Sequence, residues 1–127
     1  MSAEALLQLD QLTTELDSVR GVARAVDKLS IQIRKGETYV LLGESGCGKS
    51  MTALSIMGLL PSPAGRLAGG HIYLDGEDLT ALSEQQMRTV RGTRVAMIFQ
   101  EPMTSLNPVY TIGNQMSEVF LVHRSMN

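Results

Sequence analysis

Between Gly43 and Ser50 the sequence reads Gly-Glu-Ser-Gly-Cys-Gly-Lys-Ser, a spacing of glycines, lysine and hydroxyl that could hold a triphosphate. Binding such an anion takes several backbone N–H groups aimed at one point, and glycine lets a chain curl and approach it without Cβ clashes. Gly43, Gly46 and Gly48 supply that freedom, while Glu44, Ser45 and Cys47 add backbone to the same cradle. A helix starting at the loop contributes unpaired N–H groups and the positive end of its dipole. Lys49 is placed to reach the β- and γ-phosphates, Ser50 to offer its hydroxyl to Mg2+, and Met51 to complete the first turn at the site. Magnesium keeps most of its waters, so one hydroxyl plus phosphate oxygens makes a sufficient inner shell. The expected chemistry is binding of ATP with Mg2+. A bare glycine-rich turn with a solvated lysine is the competing reading, and the apolar run before the loop and the helical pattern after it weigh against that. Cys47 has two readings: a small residue pointing out of the loop, or a thiol activated by the helix N-terminus with no basic partner at a recognisable spacing.

Such a loop has to be held between a strand and a helix. Residues 39–42, Tyr-Val-Leu-Leu, form a short continuous apolar run, the pattern of a strand covered on both faces in a parallel sheet. After the loop a helix is expected over 50–60, with Leu54, Met57 and Gly58 on one face and Pro61 and Pro63 ending it. Ahead of the loop the pattern is antiparallel. Residues 6–12 are strand-like, Arg20-Gly21 reads as a turn, and Leu29, Ile31 and Ile33 alternate with Ser30, Gln32 and Arg34 before Lys35-Gly36 turns the chain. Beyond the helix we expect a glycine-rich loop over 64–70, a strand over 71–74 and a turn at Asp75-Gly76. Ser83 and Gln86 have the spacing of a capping box opening a helix to Arg91, which Gly92 closes. Residues 95–99, Val-Ala-Met-Ile-Phe, read as a second buried strand, and 100–107 as a polar loop punctuated by proline. A last helix is expected from Thr111, with Ile112, Met116, Val119 and Phe120 at helical spacing, and the chain then reads as cut at Asn127.

Gln100 follows the second apolar run. A glutamine there can bridge a metal-bound water and a γ-phosphate, or simply satisfy loop backbone, and the residue alone leaves both open. Taken together, VLLGESGCGKSMTALSIMGLLP and, some forty residues on, MIFQEPMTSLNP resemble the ATP-binding subunits of ABC transporters, and more narrowly the importers of dipeptides, oligopeptides, glutathione and nickel. The resemblance runs from about Leu7 to the last helix. It implies an α/β P-loop NTPase fold of the ABC nucleotide-binding type, with an antiparallel β-subdomain over about 5–36. A P-loop core would follow over 37–100, then the Q-loop and the start of a helical subdomain over 101–127. Gln100 would touch Mg2+ and sense the γ-phosphate, and the loop from Glu101 to Asn107 would face a transmembrane permease subunit. A second ATP-binding subunit would complete each site.

Departures from the family pattern also matter. The adenine-stacking position of the family falls near residues 20–23, where no aromatic stands, so Arg20 is the candidate substitute through its guanidinium plane. The signature motif, the Walker B strand with its catalytic Glu and the switch His do not occur in these residues, so no catalytic residue is assigned, and His71 and His123 read as ordinary histidines. Two functions follow as expectations: the ATPase subunit of an ABC importer, active in hydrolysis only when complete, or a truncated module that binds nucleotide or a partner without turnover. A nucleotide kinase would require a substrate lid with arginines after the loop helix, and the Q-loop resemblance argues against it. Since strands of this fold pair beside the P-loop strand, a chain stopping at Asn127 is expected to leave an edge unpaired and to be marginally stable.

Composition narrows the setting. Hydrophobic residues make up 43% and charged residues 19% of the 127, the proportions of a globular domain. A net charge of −2, from 11 Lys and Arg against 13 Asp and Glu, offers no basic field for nucleic acid. No apolar run approaches the length of a membrane span, so the chain is expected to stay in the cytosol with any membrane role through a partner, and the resemblance implies the cytoplasmic face of the inner membrane. A single cysteine permits no internal disulfide.

Overall fold

β1 (Ala5–Ser18) and β2 (Gly21–Arg34) pair antiparallel through a tight turn at Val19 and Arg20, where the Arg20-Gly21 signal predicts one. The computed structural model describes residues 5–43, 48–99 and 109–124, which fall into two units, Met1–Ser83 and Glu84–Asn127. In the first unit β1 and β2 are joined by β3 (Gly65–Leu74) and β4 (Glu77–Asp78) in a sheet of order β2-β1-β3-β4. β1 therefore has a ladder on both sides. Leu29, Ile31 and Ile33 are half-buried and Ser30, Gln32 and Arg34 exposed, as the alternation requires.

The apolar positions of β1 and β2 do not keep a strict period of two, and the sheet accommodates this with bulges. Leu9 and Leu12 are both buried although three apart, so one extra residue must be absorbed between them. Gln11 is that residue: the pairing runs Leu9↔Ile31 then Leu12↔Leu29, and Gln11 takes a φ of 53° with its N–H donated to Ser30 Oγ at 2.9 Å. Val26 and Leu29 repeat the situation in β2, with Lys28 at a φ of 50° and its N–H donated to Thr13 Oγ1 at 3.2 Å.

Residues 64–70 depart from the loop expected there: all but Ala64 lie in β3. The neighbouring β1 supplies a ladder that overrides the weak strand propensity of glycine. Gly70 is required at its position, since at its φ of 82° a Cβ would strike the carbonyl oxygens of Asp10 and Gln11 at the bulge. Leu9, Leu12, Val26, Ile72, Leu74 and Leu79 are the buried apolar side chains of the sheet and of the 3-10 turn Leu79–Ala81. Asp78 caps that turn, accepting from Thr80 N–H at 3.0 Å and Thr80 Oγ1 at 2.6 Å, and His71 Nδ1 lies 3.0 Å from its other oxygen. His71 also stacks on Tyr73.

In the second unit α2 (Glu84–Val90) begins directly after Ser83 and Gly92, at a φ of 82°, follows its end. Arg91 grips Glu84 with both terminal guanidinium nitrogens, at 2.7 and 3.2 Å, and this pairing outweighs desolvation to hold the Glu84 carboxyl below the usual range. α3 (Ile112–Arg124) is capped by Thr111, whose Oγ1 accepts from Asn114 N–H at 3.1 Å. Ile112 and Met116, expected on an apolar face, are exposed.

The runs 39–42 and 95–99 are corrected as well. Neither forms a strand among the described residues; only an isolated bridge joins Val95 to Arg91, and Val40, Leu42 and Ile98 are well exposed. A strand exists through its partner's N–H and C=O groups, and apolar continuity does not supply one. No helix among the described residues is long and apolar enough to cross a membrane.

Candidate functional site

The candidate phosphate site stands where the chain leaves Gly43 and enters α1 (Lys49–Met57). Gly48 is its pivot. It precedes the helix at φ 93°, ψ 3°, a left-handed conformation, and a Cβ there would run into the carbonyl oxygen of Ala25 on β2. Glycine is thus demanded twice, by the dihedral and by the approach of the sheet. Lys49, the first residue of α1, donates from Nζ to the Gly43 carbonyl. An ammonium carries three donors, so this bond leaves others to face an anion.

The start of α1 is arranged for negative charge. Gly48 O accepts from Thr52 N–H at 2.9 Å, and the N–H groups ahead of Thr52 belong to the turn that a helix leaves without ladder acceptors. No acidic residue stands in this first turn. Ser50 is exposed there and Met51 half-buried. A hard cation bound beside a phosphate could take Ser50 Oγ as its one protein oxygen, which suits magnesium. Among the described residues no group of three His, Cys, Asp or Glu side chains could hold a metal by itself.

α1 buries Thr52, Ser55 and Met57 rather than the Leu54, Met57 and Gly58 face expected; Leu54 is half-buried and Gly58 exposed. Gly58, not Pro61, ends the helix. At a φ of 69° it forms a Schellman cap, with its own N–H on Ser55 O at 3.2 Å and Leu59 N–H on Leu54 O at 2.9 Å. The buried hydroxyls are what the sequence reading missed. Thr14 Oγ1 on β1 meets Ser55 Oγ at 2.8 Å, a pair 41 residues apart that no local pattern announces.

Of the other expected site residues, Glu44, Ser45, Gly46, Cys47 and Gln100 lie outside the described residues, as does the loop from Glu101 to Asn107. Arg20 is exposed at the β1–β2 turn beside an exposed Val19.

Comparison with known proteins bears on this geometry. The family model described as ABC transporter matches residues 26–126. The oligopeptide transport ATP-binding protein AppD of Bacillus subtilis is 50% identical over 95% of this chain and 37% of its own length. The dipeptide transport ATP-binding protein DppD of Escherichia coli is 45% identical over 97% of this chain and likewise 37% of its own length, so the chain spans little more than a third of these relatives. The dimeric structure of the ATP-binding cassette MJ0796 in a post-hydrolysis state with ADP and Pi superposes with a TM-score of 0.78 at 19% identity, over 95% of this chain and 49% of that one. That likeness establishes the ABC cassette fold, a P-loop NTPase fold, for the backbone described above.

Proposed function

The chain belongs to the ABC transporter family, and on that premise we propose that it is the nucleotide-holding part of an importer ATPase for peptides or similar small solutes. The observation that supports the reading is Lys49 at the start of α1 donating to the Gly43 carbonyl, with Ser50 exposed at the positive end of that helix. Residues 43–51 would bind ATP, Lys49 neutralising the β- and γ-phosphates and Ser50 offering its hydroxyl to Mg2+. Gln100 would reach the same magnesium and γ-phosphate. In the complete subunit the energy of hydrolysis would drive uptake, through a permease partner that takes the loop from Glu101 to Asn107. Two ATP-binding subunits would pair, in keeping with the dimeric cassette the fold resembles. Such an assembly would sit peripherally on the cytoplasmic face of the membrane. Within this chain 5–36 would serve as the adenine-facing β-subdomain, with Arg20 at its exposed turn the candidate base contact, 37–100 as the phosphate core, and 101–127 as the coupling segment.

Equilibrium binding tests the core of this. MgATP is expected to bind the purified chain, and Lys49→Ala to weaken it about ten- to a hundredfold, the worth of charge-assisted hydrogen bonds. Equal affinity for the two proteins would dismiss the phosphate role of the loop.

A further inference from the structure

The phosphate turn is linked to the sheet by a hydrogen-bonded line of buried hydroxyls. Ser55 Oγ donates to the Met51 carbonyl at 2.6 Å, which uses its one proton. The 2.8 Å contact between Thr14 Oγ1 and Ser55 Oγ then has Thr14 as the donor, so the line runs from Thr14 to Ser55 to Met51 O, one residue beyond Ser50. Both hydroxyl residues are fully buried, with exposures of 0% for Thr14 and 2% for Ser55, where an aligned pair is stronger than at the surface. Thr14 is also the register partner of Val26, next to Ala25, whose carbonyl stands against Gly48. The β1–β2 hairpin at this rung therefore touches the nucleotide helix at two places, by backbone approach at its cap and by hydroxyl contact about two turns inside.

We infer that Thr14 is a positioning residue for the phosphate site: through Ser55 it fixes where the turn 49–51 stands against the hairpin, so that Lys49, Ser50 and the helix N–H groups converge on one point. Thr14 touches no phosphate itself. Its effect on affinity comes from the fraction of molecules whose first helical turn is already in place, since an apparent dissociation constant rises as that fraction falls. The inference rests on the ATP reading above.

Thr14→Val keeps the shape and removes the donor, and it is expected to weaken MgATP binding about fivefold, the scale of one net hydrogen bond. Thr14→Ser, which keeps a hydroxyl, should restore wild-type affinity. Ile72→Val, a core change in β3 away from α1, lowers the unfolding midpoint and should leave MgATP affinity alone, which separates positioning from general loss of stability. The double variant Thr14→Val with Ser55→Ala should bind no more weakly than Ser55→Ala alone. Wild-type affinity for Thr14→Val, or a loss that Ile72→Val reproduces, or additive losses in the double variant, would overturn the inference. If Thr14→Val does not fold, Ser55→Ala reads the same link from the helix side. Loss of binding in Lys49→Ala with full binding in both hydroxyl variants rejects this inference alone, whereas equal binding by Lys49→Ala and wild type rejects the ATP reading beneath it.

Discussion

The hairpin sheet and the run 39–42 are made of similar residues and reach opposite environments. Leu12 on β1 is completely inaccessible, while Leu42, in a run that is apolar without interruption, is 90% exposed. β1 alternates imperfectly, needs a bulge at Gln11 and includes polar Gln8 and Asp10, yet it is flanked by β2 and β3 along most of its length. The run has no ladder among the described residues, and neither does 95–99. Burial in this chain thus follows partnership. A backbone that has satisfied its N–H and C=O groups on both sides can present one face to a core, and apolar side chains then add the hydrophobic gain.

The sharpest way to break that contrast is to truncate a leucine in each region. Leu12→Ala is expected to destabilise the chain by about 2–5 kcal/mol, the cost of a cavity in a packed core. Leu42→Ala should change stability by less than about 0.5 kcal/mol, as surface substitutions do. Denaturant unfolding of the two variants measures both, and equal effects would mean that 39–42 is covered in solution.

Glycine substitutions sharpen the same contrast at smaller scale, within the partnered region. Gly70 and Gly76 have nearly the same φ, 82° and 84°, but a Cβ at Gly70 strikes the Gln11 backbone whereas nothing lies within 4 Å of one at Gly76. Gly76→Ala should cost about 1–2 kcal/mol from its left-handed backbone alone. Gly70→Ala should cost more than that, because the bulged strand must also move; an equal cost would show that the bulge yields freely.

Much of this was legible in the sequence where the signal is local. The turn after β1, the alternation of Leu29, Ile31 and Ile33, the start of α3 at Thr111 and the closure of α2 by Gly92 each depend on a few neighbouring residues. The glycine and lysine spacing on which the proposed phosphate loop rests is a local signal of the same kind. What escaped depends on distant partners. Residues 65–70 become strand because β1 lies beside them, and Ser55 turns inward because Thr14 waits 41 residues away. The bulges had a signal, the spacing of three between Leu9 and Leu12 and again between Val26 and Leu29, which a strict search for period two passes over.

Across the exposed face of the partnered strands runs a line of ion pairs, and its expected contribution is modest. Glu15 meets Arg66 at 3.1 Å and Arg24 at 3.4 Å, and Arg66 reaches Asp17 at 2.8 Å, contacts that raise the Arg66 pKa, led by its hydrogen bond to Asp17. The arginines are about half exposed, so solvent screens the network. Arg66→Gln should lower stability only slightly, and that difference should shrink as salt is added. A larger, salt-independent loss would make these charges part of what holds the three strands together.

The smallest expected effect lies at the far end of the sheet, in its response to acid. Burial raises the Asp78 pKa, but the hydrogen bonds from Thr80 and the contact with His71 outweigh it and leave the carboxyl below its usual value. A folded pKa below the unfolded one means that the unfolded chain binds the proton more readily. Asp78 therefore adds stability above the unfolded aspartate value, about 3.9, and that contribution fades as pH falls through the lower folded value. Asp78→Asn keeps an oxygen for Thr80 while removing the titration. Stability measured from pH 6 downward should then fall less steeply for the variant than for wild type below about pH 4, with the two curves parallel above it. Identical acid slopes would mean that the capping bonds hold the carboxyl no more tightly than water does.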